Sequence, residues 1–247
     1  MIEPLLIIIP CYNEYNKLDV DAYLHFLNEN KGCNILFSND GSTDGTLNLL
    51  QSIRNKFPER VSIFSKKVNQ GKAEAVRSAV KHSFNTDEAY EKIAYLDADL
   101  SVSLEECIAI SEYVKGNILV AFGSRIKKID TNIERKKYRH YIGRVIATAI
   151  SYIIKIPIYD TQCGCKVFEA GLAKTIFEEK FISKWLFDVE LFCRIIETYS
   201  RSKILKVSRE IPLKRWKDTN ESKVKLTYFF RIWIDLLKIN NRYNEKN

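Results

Sequence analysis

Short, largely apolar runs recur along this chain, and amphipathic stretches of about 10–15 residues separate them. Leu5-Leu6-Ile7-Ile8-Ile9 is the first run, and residues 34–38, 61–65 and 118–122 repeat the form. Ile93-Ala94-Tyr95-Leu96 is the fullest and reads as a strand covered on both faces. Helical spacing marks the segments between. Val20, Tyr23, Leu24 and Leu27 share one face over 19–29, and Leu47, Leu50 and Ile53 continue the pattern. Ala73, Val76, Ala79, Val80 and Phe84 form a third stripe, and 104–114 a fourth. Strand alternating with helix predicts an α/β fold built on a mostly parallel sheet.

Such sheets bind ligands beyond the carboxyl ends of their strands. The polar loops fall there and carry Glu14, Asp40, Lys72, Asp97 and Asp99. No GxGxxG follows the first strand and no GxxxxGK[ST] occurs, so neither common phosphate loop is present. In an extended chain Asp97 and Asp99 point to one side. Two acceptor-only groups suit a hard divalent cation that keeps some water and takes phosphate oxygens. The plainer alternative makes Asp97 a loop residue and Asp99 the cap of a helix starting near Ser103. A lone Asp-x-Asp divides evenly between the two, but four polar loops at one sheet edge favour a ligand site.

The 247 residues allow one large α/β domain or two small ones, with 39 basic against 31 acidic side chains and a net charge of +8. That balance favours an anionic partner. Basic residues scattered over loops argue against a nucleic-acid groove. The six cysteines lack a CxxC pair and the three histidines lack ligand spacing, so reduced core thiols are expected, without disulfides or zinc. No signal peptide and no apolar run of about 18 residues is visible, which predicts a cytoplasmic protein without a spanning helix.

Past Arg125 the pattern changes. Residues 127–139 are basic and loop-like, 141–159 form an aliphatic helix, and 160–168 turn into a strand. A helix is expected over 185–199, strands at 203–207 and 211–213, and a basic loop over 214–217 and 222–223. A final helix spans 226–239, with Phe229, Phe230, Trp233, Leu236 and Leu237 on a broad face. The expected division is a main domain over 1–223 and a C-terminal amphipathic helix and tail over 224–247.

Pro10-Cys11-Tyr12-Asn13-Glu14, Asn39-Asp40-Gly41-Ser42-Thr43-Asp44, Asn69-Gln70-Gly71-Lys72 and Asp97-Ala98-Asp99 together resemble family 2 glycosyltransferases of GT-A fold. Gly123-Ser124-Arg125, the 160–166 turn and Trp185-Leu186-Phe187-Asp188-Val189-Glu190-Leu191 are similar to the polyprenyl-phosphate branch, especially dolichyl-phosphate β-glucosyltransferases. The resemblance implies a Rossmann-like, mostly parallel sheet flanked by helices, with C-terminal amphipathic helices. It implies an inverting transfer of a hexose, with UDP-glucose as the expected donor and a polyprenyl phosphate as acceptor, at the cytosolic membrane face. GDP-mannose or a saccharide acceptor is the second reading, and a non-catalytic nucleotide-sugar binding module the third. The absence of Gln-x-x-Arg-Trp argues against a processive enzyme.

By the same resemblance, Pro10, Tyr12, Glu14, Asn39, Asp40, Lys72, Asp97 and Ala98 bind the donor. Asn39 stands where relatives often carry Asp, so that pair bears one charge fewer. Asp97 and Asp99 hold Mg²⁺ or Mn²⁺. Arg125, Arg139, Gln162, Lys166 and Lys223 are candidates for the acceptor phosphate, bidentate Arg being best suited. Asp160 is placed near the attack site, with Asp188 second; either can instead orient Lys166 or an arginine. A peripheral membrane contact or a membrane-anchored partner is expected, and pairing of identical chains stays open.

Overall fold

In the computed structural model, which describes residues 4–126, 132–134, 137–217 and 227–244, the apolar runs form the centre of one seven-stranded sheet. β1 (Leu5–Cys11) pairs in parallel with β2 (Cys33–Asp40) on one side and β4 (Lys92–Leu96) on the other. β3 (Val61–Lys66) extends the sheet beyond β2. Beyond β4 lies β7 (Cys165–Glu169), antiparallel to it, then β5 (Val120–Ser124), then β8 (Ser208–Pro212) parallel to β5. The order is β3-β2-β1-β4-β7-β5-β8. A separate parallel pair joins β6 (Asn132–Glu134) to β9 (Arg215–Lys217).

Period-two alternation sends the aliphatic residues of β1 into two cores. Leu5, Ile7 and Ile9 pack with Phe26 and Leu27 of α1 (Val20–Glu29), Leu50 of α2 (Thr46–Lys56) and Cys107 of α4 (Leu104–Ser111). Leu6 and Ile8 pack on the opposite face with Val76 and Val80 of α3 (Lys72–Ser83) and with α6 (Ala170–Ile176) and α7 (Phe187–Tyr199). α5 (Lys137–Ile154) and α9 (Thr227–Asn244) complete that layer through Ile150, Ile154, Ile232, Leu236 and Ile239. Each fully buried Leu or Ile contributes about 1.5–3 kcal/mol. Among the described residues no helix is long and apolar enough to cross a membrane.

Several expectations are corrected. Residues 201–207 form a helix, α8 (Arg201–Val207), not a strand, because Ile204 and Val207 are buried three residues apart while Leu205 faces out. α6 had no visible signal before its cap: Glu169 accepts the Gly171 and Leu172 amides at 2.9 and 2.8 Å. β1 runs through Pro10 to Cys11, which is tolerated because pairing with β4 ends at Ile8↔Tyr95. Residues 215–217 are strand rather than loop.

Candidate active site

β4 ends at Leu96, so Asp97-Ala98-Asp99 lies in a turn, with the Leu100 amide donating to the Asp97 carbonyl at 3.2 Å. Extended alternation therefore does not set the direction of the two carboxylates. Asp97 is half-buried and Asp99 exposed. The helix-cap alternative for Asp99 fails: Ser103 caps α4, accepting the Glu106 amide at 3.2 Å, while Asp99 accepts the Ser101 amide at 3.0 Å. The Asp97 carboxylate fits only because residue 164 is glycine. A Cβ built on Gly164 would lie 2.2 Å from Asp97 Oδ2.

Lys72 opens α3 and forms an ion pair with Asp97. Its ammonium stands 5.9 Å from the Tyr95 ring centre and 5.8 Å from that of Phe187. Burial works against its charge, but Asp97, Asp188 and Asp99 together hold its pKa above the ordinary lysine value. Among the described residues no three His, Cys, Asp or Glu side chains surround a common point. Asp97 and Asp99 nevertheless fit Mg²⁺ or Mn²⁺, which bind through one or two carboxylates and complete their shell with water and substrate phosphate.

The donor-side loops lock onto one another. Asp40 is buried and accepts the Gln70 amide at 3.1 and 3.0 Å and the Gly71 amide at 2.7 Å, with Lys66 at 3.8 Å. Gly41, at φ +69°, brings its backbone so close to Val68 and Asn69 that a Cβ would stand 2.7 Å from them. Asn39, also buried, donates to Ser65 Oγ at 2.8 Å and accepts the Ser42 amide at 3.3 Å. Both side chains thus hold the donor-side loops together. Tyr12 is exposed, Pro10 and Glu14 are half-buried, and Ala98 is buried with its carbonyl accepting the Tyr23 hydroxyl at 3.2 Å.

On the acceptor side, Arg125 grips Asp160 through Nε at 2.6 Å and Nη2 at 2.8 Å, and its own amide adds a third bond at 3.1 Å. Burial pushes the Asp160 carboxyl up, yet the Arg125 guanidinium beside it brings it down to about 2. Arg125 lies over the Trp216 ring at 5.4 Å. Glu210 of β8 fixes the same turn by accepting the Tyr159 and Asp160 amides at 3.0 and 2.8 Å. Gln162 donates its amide to Asp160 at 3.2 Å, and its Nε2 is buried with no hydrogen-bond partner among the described residues, as is Ser124 Oγ.

Lys166 is corrected most plainly. It has no exposed surface, because β7 lies inside the sheet between β4 and β5. Its ammonium donates to the Asp188 carboxylate and to the Cys163 carbonyl at 2.9 Å. The Tyr95 hydroxyl also donates to Asp188. Asp188 therefore balances a buried lysine, the alternative role open to it in the sequence, while Lys166 as placed offers no surface to a phosphate. The side chains of Arg139 and Lys223 lie outside the described residues. Sequence reasoning did not find Gly164, Glu210, Trp216 or the hydroxyl of Tyr95; a lone Gly between Cys163 and Cys165 was the one available sign.

Among solved structures, the fold is similar to glucosyl-3-phosphoglycerate synthase of Mycobacterium tuberculosis in complex with Mn²⁺, UDP and glucosyl-3-phosphoglycerate, at TM-score 0.69 and 14% identity over 97% of this chain and 80% of that one. Mannosyl-3-phosphoglycerate synthase of Rubrobacter xylanophilus matches at TM-score 0.69 and 13% identity over 99% and 74%. The sheet and its helices are those of the GT-A fold. In sequence, a dolichyl-phosphate beta-glucosyltransferase of Trichomonas vaginalis is 26% identical over 94% of this chain and 69% of its own length. The Saccharomyces cerevisiae protein described likewise is 28% identical over 90% and 69%, and the Dictyostelium discoideum one 28% over 76% and 60%. The pattern of glycosyl transferase family 2 matches residues 6–177, a span that takes in both carboxylates and every donor-side loop. The chain therefore belongs to glycosyl transferase family 2, and it is a glycosyltransferase.

Proposed function

We propose that this enzyme transfers glucose from UDP-glucose to a polyprenyl phosphate such as dolichyl phosphate, with inversion, at the cytosolic face of a membrane. The observation that carries the reading is the half-open pair Asp97 and Asp99 beside Lys72 at the carboxyl edge of the sheet. Relatives named as dolichyl-phosphate beta-glucosyltransferases, aligned over nearly the whole chain, support the acceptor. Solved neighbours holding UDP or UDP-glucose with Mn²⁺ support the donor.

Breaking the glycosidic bond places charge on the leaving diphosphate. Asp97 and Asp99 would hold a divalent cation, which when bound neutralises that charge as a Lewis acid. Lys72 adds a positive charge beside the same oxygens. The acceptor phosphate is already ionised at neutral pH, so its oxygen attacks the anomeric carbon without a strong base. Arg125 would orient that phosphate with the donors left after its bidentate grip on Asp160. Asp160 positions Arg125 and does not take a proton. The lipid would be reached through α5 and α9, whose outer residues Tyr152, Trp233 and Leu237 are exposed.

The test incubates the protein with UDP-glucose, Mn²⁺ and a short polyprenyl phosphate, with GDP-mannose and a saccharide acceptor as parallel arms. Glucosyl-phosphoryl-polyprenol is the expected product, and Asp99→Ala should abolish it while leaving the fold intact. Transfer only in the GDP-mannose or saccharide arm would replace the reading, and full turnover by Asp99→Ala would remove the metal from it.

A further inference from the structure

Lys72 is placed by its neighbours with little freedom. Asp40 holds the Gln70 and Gly71 amides, and Gly71 at φ +96° turns the chain so that α3 begins at Lys72. From there the side chain reaches Asp97, passing the buried rings of Tyr95 and Phe187. Those rings stand 5.6 Å apart and form an apolar floor beneath the ammonium. Asp188 behind that floor already has Lys166 and the Tyr95 hydroxyl as close partners. Asp97 is thus the carboxylate that Lys72 pairs with, and it is also half of the pair assigned above to a divalent cation.

An ammonium and a divalent ion cannot both lie against one carboxylate without strong repulsion. A diphosphate changes this, because its oxygens accept both cations at once. We propose that Lys72 is the resident counter-cation of Asp97 in the donor-free enzyme, and that the incoming diphosphate draws it away. Lys72 then keeps the metal weakly bound until the nucleotide arrives. Metal and nucleotide bind as a coupled pair, each strengthening the other by the same factor. The inference rests on the metal-dependent reading of Asp97 and Asp99. It differs from a simple phosphate-binding role for Lys72, which would leave the affinity for metal alone unchanged.

The experiment titrates Mn²⁺ into the full chain and follows free Mn²⁺ by electron paramagnetic resonance, with and without saturating UDP. Wild type should bind Mn²⁺ weakly alone and more tightly with UDP. Lys72→Met, on a side chain about one-third exposed, should fold normally. It should bind Mn²⁺ alone on the order of tenfold more tightly than wild type, with the enhancement by UDP reduced, as expected for a coupling of typical size. Lys72→Arg, which keeps the charge, should behave as wild type. Unchanged or weaker Mn²⁺ binding by Lys72→Met without UDP overturns the inference. Asp99→Ala separates the two levels. If it abolishes Mn²⁺ binding while Lys72→Met matches wild type, only the counter-cation role fails. If wild type with UDP binds no Mn²⁺, or Asp99→Ala binds it fully, the metal reading falls and takes the inference with it.

Discussion

Gly164 has no side chain, and the Asp97 carboxylate occupies the space one would fill. Its backbone is not in the left-handed region, so Gly164→Ala strains no dihedral and acts by moving the carboxylate. A displacement of about 1 Å at a reacting site costs on the order of 100-fold. Gly164→Ala should therefore lose roughly 100-fold in kcat/KM with an unchanged melting temperature; near-normal turnover would show that Asp97 tolerates the shift. Asp160 makes a second prediction. Its carboxyl is lowered from 3.8 to about 2, so its ionised form stabilises the fold above pH 4 and that contribution disappears as pH falls through 2. The contribution is about 2 kcal/mol. Urea unfolding at pH 5 and pH 2.5 should show a steeper loss in wild type than in Asp160→Asn, and equal losses would rule the pairing out as a source of acid sensitivity. Asp160 and Arg125 were each visible in the sequence. That Asp160 could orient an arginine was also open, but which arginine was not legible, because the residues stand 35 apart and only the fold brings them together. Lys166 falls in a segment that the sequence shows turning into a strand, but that this strand lies mid-sheet and buries the ammonium is not legible locally.

α5 and α9 show what periodicity can and cannot fix at the level of elements. Their apolar character was plain, but which residues faced the core was not. Ile232, Leu236 and Ile239 turn inward, while Trp233 and Leu237 line an open apolar groove of about 610 Å³ opposite Tyr152 of α5. Aromatic side chains on such a surface suit a membrane interface, and the charge of +8 adds attraction to anionic lipid. Trp233→Glu alters the outward face alone. It should weaken salt-sensitive binding to anionic vesicles without lowering stability, as read by co-sedimentation at low and high salt. A wild type that stays in the supernatant at low salt would assign the lipid to a membrane-anchored partner instead. Removing α9 whole would be a poorer test, since Tyr243 hydrogen-bonds the buried Glu190 at 3.0 Å and the inner face belongs to the core. Elsewhere, long apolar strands were legible, whereas 203–207 was not: Lys203-Ile204-Leu205-Lys206-Val207 is too short to fix a period, so strand and helix differ only in which residues are finally buried.

At the scale of the whole molecule, strand order was the least legible property. Local sequence shows that strands and helices alternate, and it is silent on β7 entering between β4 and β5 in the reverse direction. That insertion joins residues 92–96 to 165–169, about 70 positions later. Synthesis adds about 5–20 residues per second, so the outer edge of β4 waits roughly 4–14 s for its partner. During that interval the nascent chain carries an apolar strand with unpaired amides and carbonyls, the kind of edge that recruits other chains. The finished enzyme hides this edge completely. The half-made protein therefore carries a vulnerability at β4 that the finished one lacks, and a chaperone at the ribosome exit should raise the yield of folded chain without changing its stability.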